Sequence, residues 1–202
     1  MWGNYGRILS EYPYISNFRK GDLDKYIKIE NVERLEEVKK GKPVVFVSAH
    51  FSNFELMAMA IERAGINLSA IYRPLNNKMV NSIMEPLRRK YICKKQIKKG
   101  LNGVREALKY FKQGISIAIM IDQRVSEGER INFFNYPAHT TTIPAQFVKK
   151  FGCKIQPGDH VICAVSKQKI YLQNLNYWNV ELQEAYFSYK EAQLKREEKK
   201  ND

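Results

Sequence analysis

A single α/β domain, with a central and mostly parallel sheet flanked by helices, is predicted by three observations. The chain has 202 residues, and at roughly 150 residues per domain that fits one core. Three apolar runs of strand length, 44–48, 68–72 and 115–121, alternate with stretches of helical periodicity, the pattern of layered α/β folds. Each run is followed closely by a polar residue, His50, Arg73 and Asp122 in turn, at the edge where open α/β sheets hold their ligands.

The elements follow in chain order. Residues 31–40 read as a short amphipathic helix ended by Gly41. After the first strand, Asn53 is placed to cap a helix running to about Ala64, with Gly65 as its stop. Between the second and third strands lie a helical stretch at 76–91, interrupted at Pro86, and another at 101–111 closed by Gly114; two helices suit a crossover connection. Thr142 and Pro144 suit the start of a helix at 144–151. Beyond Gln156 the pattern is weaker, with candidate strands at 160–165 and 169–172 and a charged helical tail at 180–199. Residues 1–156 are therefore read as one domain and 157–202 as a divergent C-terminal segment.

Composition narrows the function. Hydrophobic residues make up 44% and charged residues 27%, which supports a sizeable core and excludes wholesale disorder. Thirty-four basic against 21 acidic residues give a net charge of +13, so an anionic partner or substrate is indicated. Between Glu85 and Lys112 ten basic side chains face only Glu85 and Glu106; a solvated basic face explains such a run as readily as a binding surface. The three cysteines form no CxxC pair, which fits a reducing compartment and no structural metal; His160 and Cys163 have a ligand-like spacing but no second pair. The N-terminus does not read as a signal peptide, and no apolar stretch approaches the roughly 18 residues of a membrane span.

Chemistry concentrates at the strand ends. His50 and Glu55 stand five residues apart in AHFSNFE, with Glu55 entering the first turn of the capped helix, where the macrodipole favours a carboxylate. Glu55 is thus a candidate to hold one ring nitrogen of His50 and leave the other as a base, the logic of acyl-transfer triads. No separate nucleophile is needed if a substrate hydroxyl attacks. There is no GxSxG elbow, phosphate loop, HExxH or GxGxxG. Arg73, Arg88 and Arg124 are candidates to contact an anionic substrate. Leu56, Met57, Met59, Ala60 and Ile61 fit either core packing or the border of an acyl tunnel.

The ordered set HFSNFE after VVFVSA, IYRPLNN, IMIDQR and FFNYPAHTTT resembles the lipid A biosynthesis acyltransferases, the late lauroyl and myristoyl transferases, over about residues 2–156. MWGNYGRILSEYPYI is similar to that family's N-terminal segment. The resemblance implies a fold related to the glycerol-3-phosphate acyltransferases, with His50 as general base, Glu55 as its partner in an HX4E motif, and Arg88 and Asp122 at the matching arginine and DQ aspartate; Asp122 is read with Arg73, Arg88 and Arg124 as substrate-binding rather than catalytic. It implies transfer of a fatty acyl chain from acyl carrier protein or acyl-CoA to a hydroxyl of the Kdo-bearing lipid A precursor. No covalent acyl-enzyme, cofactor or metal is implied. The implied setting is the cytoplasmic face of the inner membrane of a Gram-negative bacterium. The family's upstream membrane helix is not found here and the likeness fades after Gln156, so the chain reads as truncated at both ends and its membrane contact as peripheral.

Other readings stay open from the sequence. The acceptor could be another glycolipid or a glycerol phosphate, or the chain could be an inactive remnant or a basic binding protein. Nucleic acid is disfavoured, because the basic stretch interleaves few aromatics and carries no recognised motif.

Overall fold

A computed structural model describes residues 2–29, 32–50, 53–123, 125, 128–133, 136–157 and 161–163. The five-stranded sheet at its centre has the order β4-β3-β5-β2-β8, from strands β2 (Val45–Ser48), β3 (Leu68–Tyr72), β4 (Lys95–Lys98), β5 (Ser116–Met120) and β8 (Ile155–Pro157). Every pairing within it is parallel. The three strands read from the sequence are β2, β3 and β5, and they lie side by side.

Strand alternation explains the two cores. Val45, Val47, Ile117 and Ile119 pack on one face with Ala107 and Phe111 of α6 (Leu101–Lys112) and Phe147 of α7 (Ile143–Phe151). Phe46, Leu68 and Ala118 face the other way, against α4 (Phe54–Arg63), α2 (Ile15–Lys20) and α3 (Val32–Lys40). Both faces of the sheet are covered, as parallel sheets require. Phe111, Phe147 and Phe151 meet with ring centroids 4.9 to 5.7 Å apart and tie α6 to α7. Leu56, Met57, Met59 and Ile61 of α4 are buried in the second core, so among the two readings offered for them the structure shows packing.

Several elements were not legible. The stretch between the second and third strands holds α5 (Lys78–Leu87), a π-helical turn at Arg88–Ile92 and the edge strand β4, rather than two helices alone. β4 reads KQIK, too polar for an apolar-run search, and the lysines suit an exposed edge that must resist pairing with other chains. Asn77 caps α5 by accepting from the amides of Met79 and Val80, and Pro86 lies two residues before the π-helical turn. A hairpin of β6 (Glu129–Phe133) and β7 (Tyr136–Thr140) leads into α7, and β1 (Ile27–Ile29) pairs antiparallel with β9 (Val161–Cys163). β9 coincides with part of the candidate strand at 160–165; residues 169–172 and 180–199 lie outside the described residues.

The N-terminal region forms α1 (Trp2–Glu11), a 3-10 turn at Tyr12–Tyr14 and then α2. Ile8, Tyr12 and Met84 make a small third cluster with Phe54, Leu75, Val80 and Leu87, which fastens α1 and the turn to α5 and to the start of α4. Among the described residues no helix is long and apolar enough to cross a membrane.

Gly103 is required where α6 leaves β4, because a Cβ there would stand 1.9 Å from the Lys98 carbonyl oxygen. Gly103→Ala is expected to lower unfolding stability by about 1–3 kcal/mol through overpacking, read by urea denaturation. Asn102→Ala, on the exposed side of the same helix, is expected to stay within about 0.5 kcal/mol of wild type.

Candidate active site

Parallel register brings His50 and Asp122 together. Ser48 of β2 is in register with Met120 of β5, so each of the two site residues stands two positions beyond the paired ends of adjacent strands. Asp122 then holds His50 twice. Its Oδ2 accepts from the His50 backbone N–H at 2.8 Å and its Oδ1 lies 2.8 Å from ring Nδ1.

Asp122 is shifted by opposing influences: burial pushes its carboxyl up, but the ring and backbone N–H of His50 outweigh burial and hold it below the ordinary aspartate value. An ionised carboxylate only accepts, so Nδ1 carries the proton and donates. With Nδ1 committed to Asp122, Nε2 is the ring nitrogen left to act as a base, with Gln123 Nε2 at 3.4 Å. Phe54 sets its ring edgewise to the imidazole at a centroid distance of 4.6 Å.

Glu55 lies in the first turn of α4, as read from the sequence, but it does not orient His50. Its side chain is 5% exposed and is committed elsewhere. Oε1 accepts from Arg88 Nη2 at 2.5 Å and from Nε at 2.9 Å, and Oε2 accepts from the Tyr12 hydroxyl at 2.8 Å. The ring nitrogen expected to meet Glu55 is taken by Asp122, while Glu55 neutralises a largely buried guanidinium. Burial of Arg88 would favour its neutral form, yet the hydrogen bonds and charge of Glu55 prevail and raise it above its ordinary value.

Asn53 occupies the N-cap position of α4 but makes no side-chain cap bond; its Nδ2 donates instead to Glu11 Oε2 at 2.6 Å. Thr142 behaves similarly at α7, where it makes no cap bond and its hydroxyl oxygen accepts from Gln146 Nε2.

The remaining arginines differ. Arg88 is pinned by Glu55, and its Nη1 is buried without a hydrogen-bond partner among the described residues. Arg73 is exposed just after β3, beside the site edge but joined to neither His50 nor Asp122 by a hydrogen bond among the described residues. Arg124 lies outside the described residues, as does His160. No group of three metal-ligating side chains occurs among the described residues.

Tyr12 was missed from the sequence. Its signal was the spacing Ile8, Tyr12, Ile15, which marks one buried helical face, together with the rule that a buried tyrosine finds a partner for its hydroxyl. Burial, and then the neighbouring Glu55 charge, push the Tyr12 phenol far above its ordinary value, so it remains a donor.

A strand-end imidazole held by an acid defines a class of site with one ring nitrogen oriented and the other left for proton transfer. Comparison with known proteins supplies the chemistry. The family model described as bacterial lipid A biosynthesis acyltransferase matches residues 1–175; the chain belongs to that family and is an acyltransferase. The match extends past Gln156, where the likeness read from the motifs fades. A second model, described as an uncharacterized protein conserved in bacteria, matches residues 155–196. No curated protein matches the chain.

Two outcomes follow from the site's electrostatics. Removing one member of the buried pair, as in Arg88→Met, is expected to cost about 3–5 kcal/mol, and the double replacement Glu55→Met/Arg88→Met markedly less, because it leaves no unpaired buried charge; chemical denaturation of the three proteins checks this. Asp122 has a native value below its unfolded one, so its stabilising contribution is complete above about pH 4 and is lost as pH falls through the lowered native value. Asp122→Asn is expected to flatten the acid limb of a stability-against-pH curve, measured by thermal unfolding.

Proposed function

We propose that the chain transfers a fatty acyl group from acyl carrier protein, or acyl-CoA, to a hydroxyl of the Kdo-bearing lipid A precursor, with His50 as general base and Asp122 as the residue that orients it. The observation that carries this reading is the double hold of Asp122 on His50, which fixes the tautomer and leaves Nε2 basic. The acceptor hydroxyl loses its proton to Nε2 as its oxygen bonds to the thioester carbonyl carbon. The tetrahedral intermediate then expels the thiol, which takes the proton from the imidazolium, and Asp122 stabilises that cation while it lasts. No acyl-enzyme forms, and no cofactor or metal is needed.

Arg88, tied to Glu55, serves the anionic or polarised part of a substrate, as do Arg73 and Arg124. The basic edge supports an acidic donor protein as partner. Lys94, Lys98 and Lys99 at β4, Arg105, Lys109 and Lys112 on α6, and Arg89 and Lys90 on the π-helical turn are all exposed. Contact with a membrane surface, peripheral and at the cytoplasmic face of the inner membrane, is supported by Leu9, Tyr14, Met79 and Ile83, which are 57 to 73% exposed on the helices and turn that pack beside the site. Apolar side chains among basic ones suit an anionic lipid interface.

His50→Ala is expected to lower acyl transfer from dodecanoyl- or tetradecanoyl-loaded carrier protein by about 10²–10⁴-fold, with the fold retained. Asp122→Asn is expected to fall in the same range, because an amide can let the ring turn to the wrong tautomer. A radiolabelled acyl-transfer assay on Kdo-bearing precursor in detergent, beside a glycerol phosphate acceptor, checks both the residues and the acceptor class. Full activity of His50→Ala would overturn the mechanism, and preference for glycerol phosphate would overturn the acceptor.

A further inference from the structure

The start of α4 is gripped from outside its own helix. Glu11 and Tyr12 are consecutive residues at the junction of α1 and the 3-10 turn, and they bind Asn53 and Glu55 respectively, 42 and 43 residues away in sequence. The grip goes against local preference. An asparagine at an N-cap ordinarily accepts from the first helical amides, whereas here its amide is turned to Glu11 and its Oδ1 is buried without a partner among the described residues. A local rule broken beside a reaction site is a sign that position, rather than helix stability, is being served. The same tyrosine is linked to the site through an apolar cluster. It packs in the cluster that includes Phe54, and Phe54 is the residue whose edge braces the His50 imidazole.

We propose that Tyr12 is a positioning residue for acyl transfer: its hydroxyl sets the plane of the Glu55 carboxylate and therefore the place of Arg88, and its ring backs Phe54 against His50. The N-terminal turn is thus part of the reaction machinery although it touches none of the reacting atoms. The proposal rests on the reading of His50 as the base. Tyr12 OH and Arg88 Nε both donate to Oε2 of Glu55, at 2.8 and 3.2 Å, while Oε1 belongs to Arg88 alone, so loss of the hydroxyl leaves Arg88 as the sole side-chain donor to the carboxylate among the described residues and lets the pair resettle.

The test compares Tyr12→Phe, which keeps the ring and removes the hydroxyl, with Val80→Ala, which removes packing from the same cluster. Both are assayed as full chains in detergent with dodecanoyl-loaded carrier protein and Kdo-bearing lipid A precursor. Tyr12→Phe is expected to lower kcat, read well below its Tm, by about tenfold or more, with KM for the carrier protein within about twofold; its Tm also falls, because a buried carboxylate loses a donor, but the kcat loss exceeds that of Val80→Ala at a matched drop in Tm. Val80→Ala is expected to lower Tm while retaining kcat.

Wild-type kcat in Tyr12→Phe, or a loss of kcat that tracks Tm equally in both variants, would overturn the proposal. The ring resonances of His50, one of three histidines, give a readout that does not depend on the substrate. They are expected to shift in Tyr12→Phe when the Glu55 and Arg88 side chains relocate, and to stay in place in Val80→Ala. Should the wild type transfer no acyl group, or His50→Ala remain active, the function assigned above fails, and the resonances alone decide whether Tyr12 positions the site: unmoved signals in Tyr12→Phe would overturn that role.

Discussion

The site depends on the parallel pairing of β2 with β5, because only that register sets His50 and Asp122 opposite each other at the sheet edge. A backbone N–H and a ring N–H from one residue converge on the two oxygens of a single carboxylate. A shift of one residue in either strand would alternate the side chains to opposite faces of the sheet and break both bonds. The two cores serve this constraint. Val45 and Val47 lock β2 to the α6–α7 layer while Phe46 locks it to α4, so neither strand has room to slide.

A second constraint is electrostatic. The Glu55–Arg88 pair is nearly dry, with side-chain exposures of 5% and 11%, and such a pair is a poor source of stability compared with apolar packing. Its value lies in location. It ties α4, which follows His50, to the π-helical turn, which arises just after Pro86 in α5. A wider turn of this kind often marks a functional position in a helix, and here it supplies the arginine. Tyr12 completes the arrangement by filling the carboxylate oxygen that Arg88 shares least.

Much of this was readable before the structure. The parallel sheet, the strand-end site, His50, the first-turn place of Glu55 and the end position of Asp122 all follow from apolar runs and their polar termini. What could not be read was which acid serves the histidine. Glu55 is five residues from His50 and Asp122 is 72 away, so proximity in sequence favoured the wrong partner; the burial of Glu55, and its bonds to residues 33 and 43 positions distant, are set only by tertiary packing. β4 was missed because its residues obey the needs of an exposed edge rather than those of a buried strand. β1 was missed because a three-residue strand that pairs across most of the chain leaves no local period to detect.

Nδ1 of His50 meets Asp122, while Glu55 is bonded to Arg88 and Tyr12, which assigns the tautomer of His50 to Asp122. The most direct measurement is nitrogen-15 NMR of the His50 ring in wild type, Asp122→Asn and Glu55→Gln. A proton on Nδ1 and a free Nε2 are expected in wild type and in Glu55→Gln, with that pattern lost in Asp122→Asn. A tautomer that survives Asp122→Asn and changes in Glu55→Gln would make Glu55 the orienting acid instead.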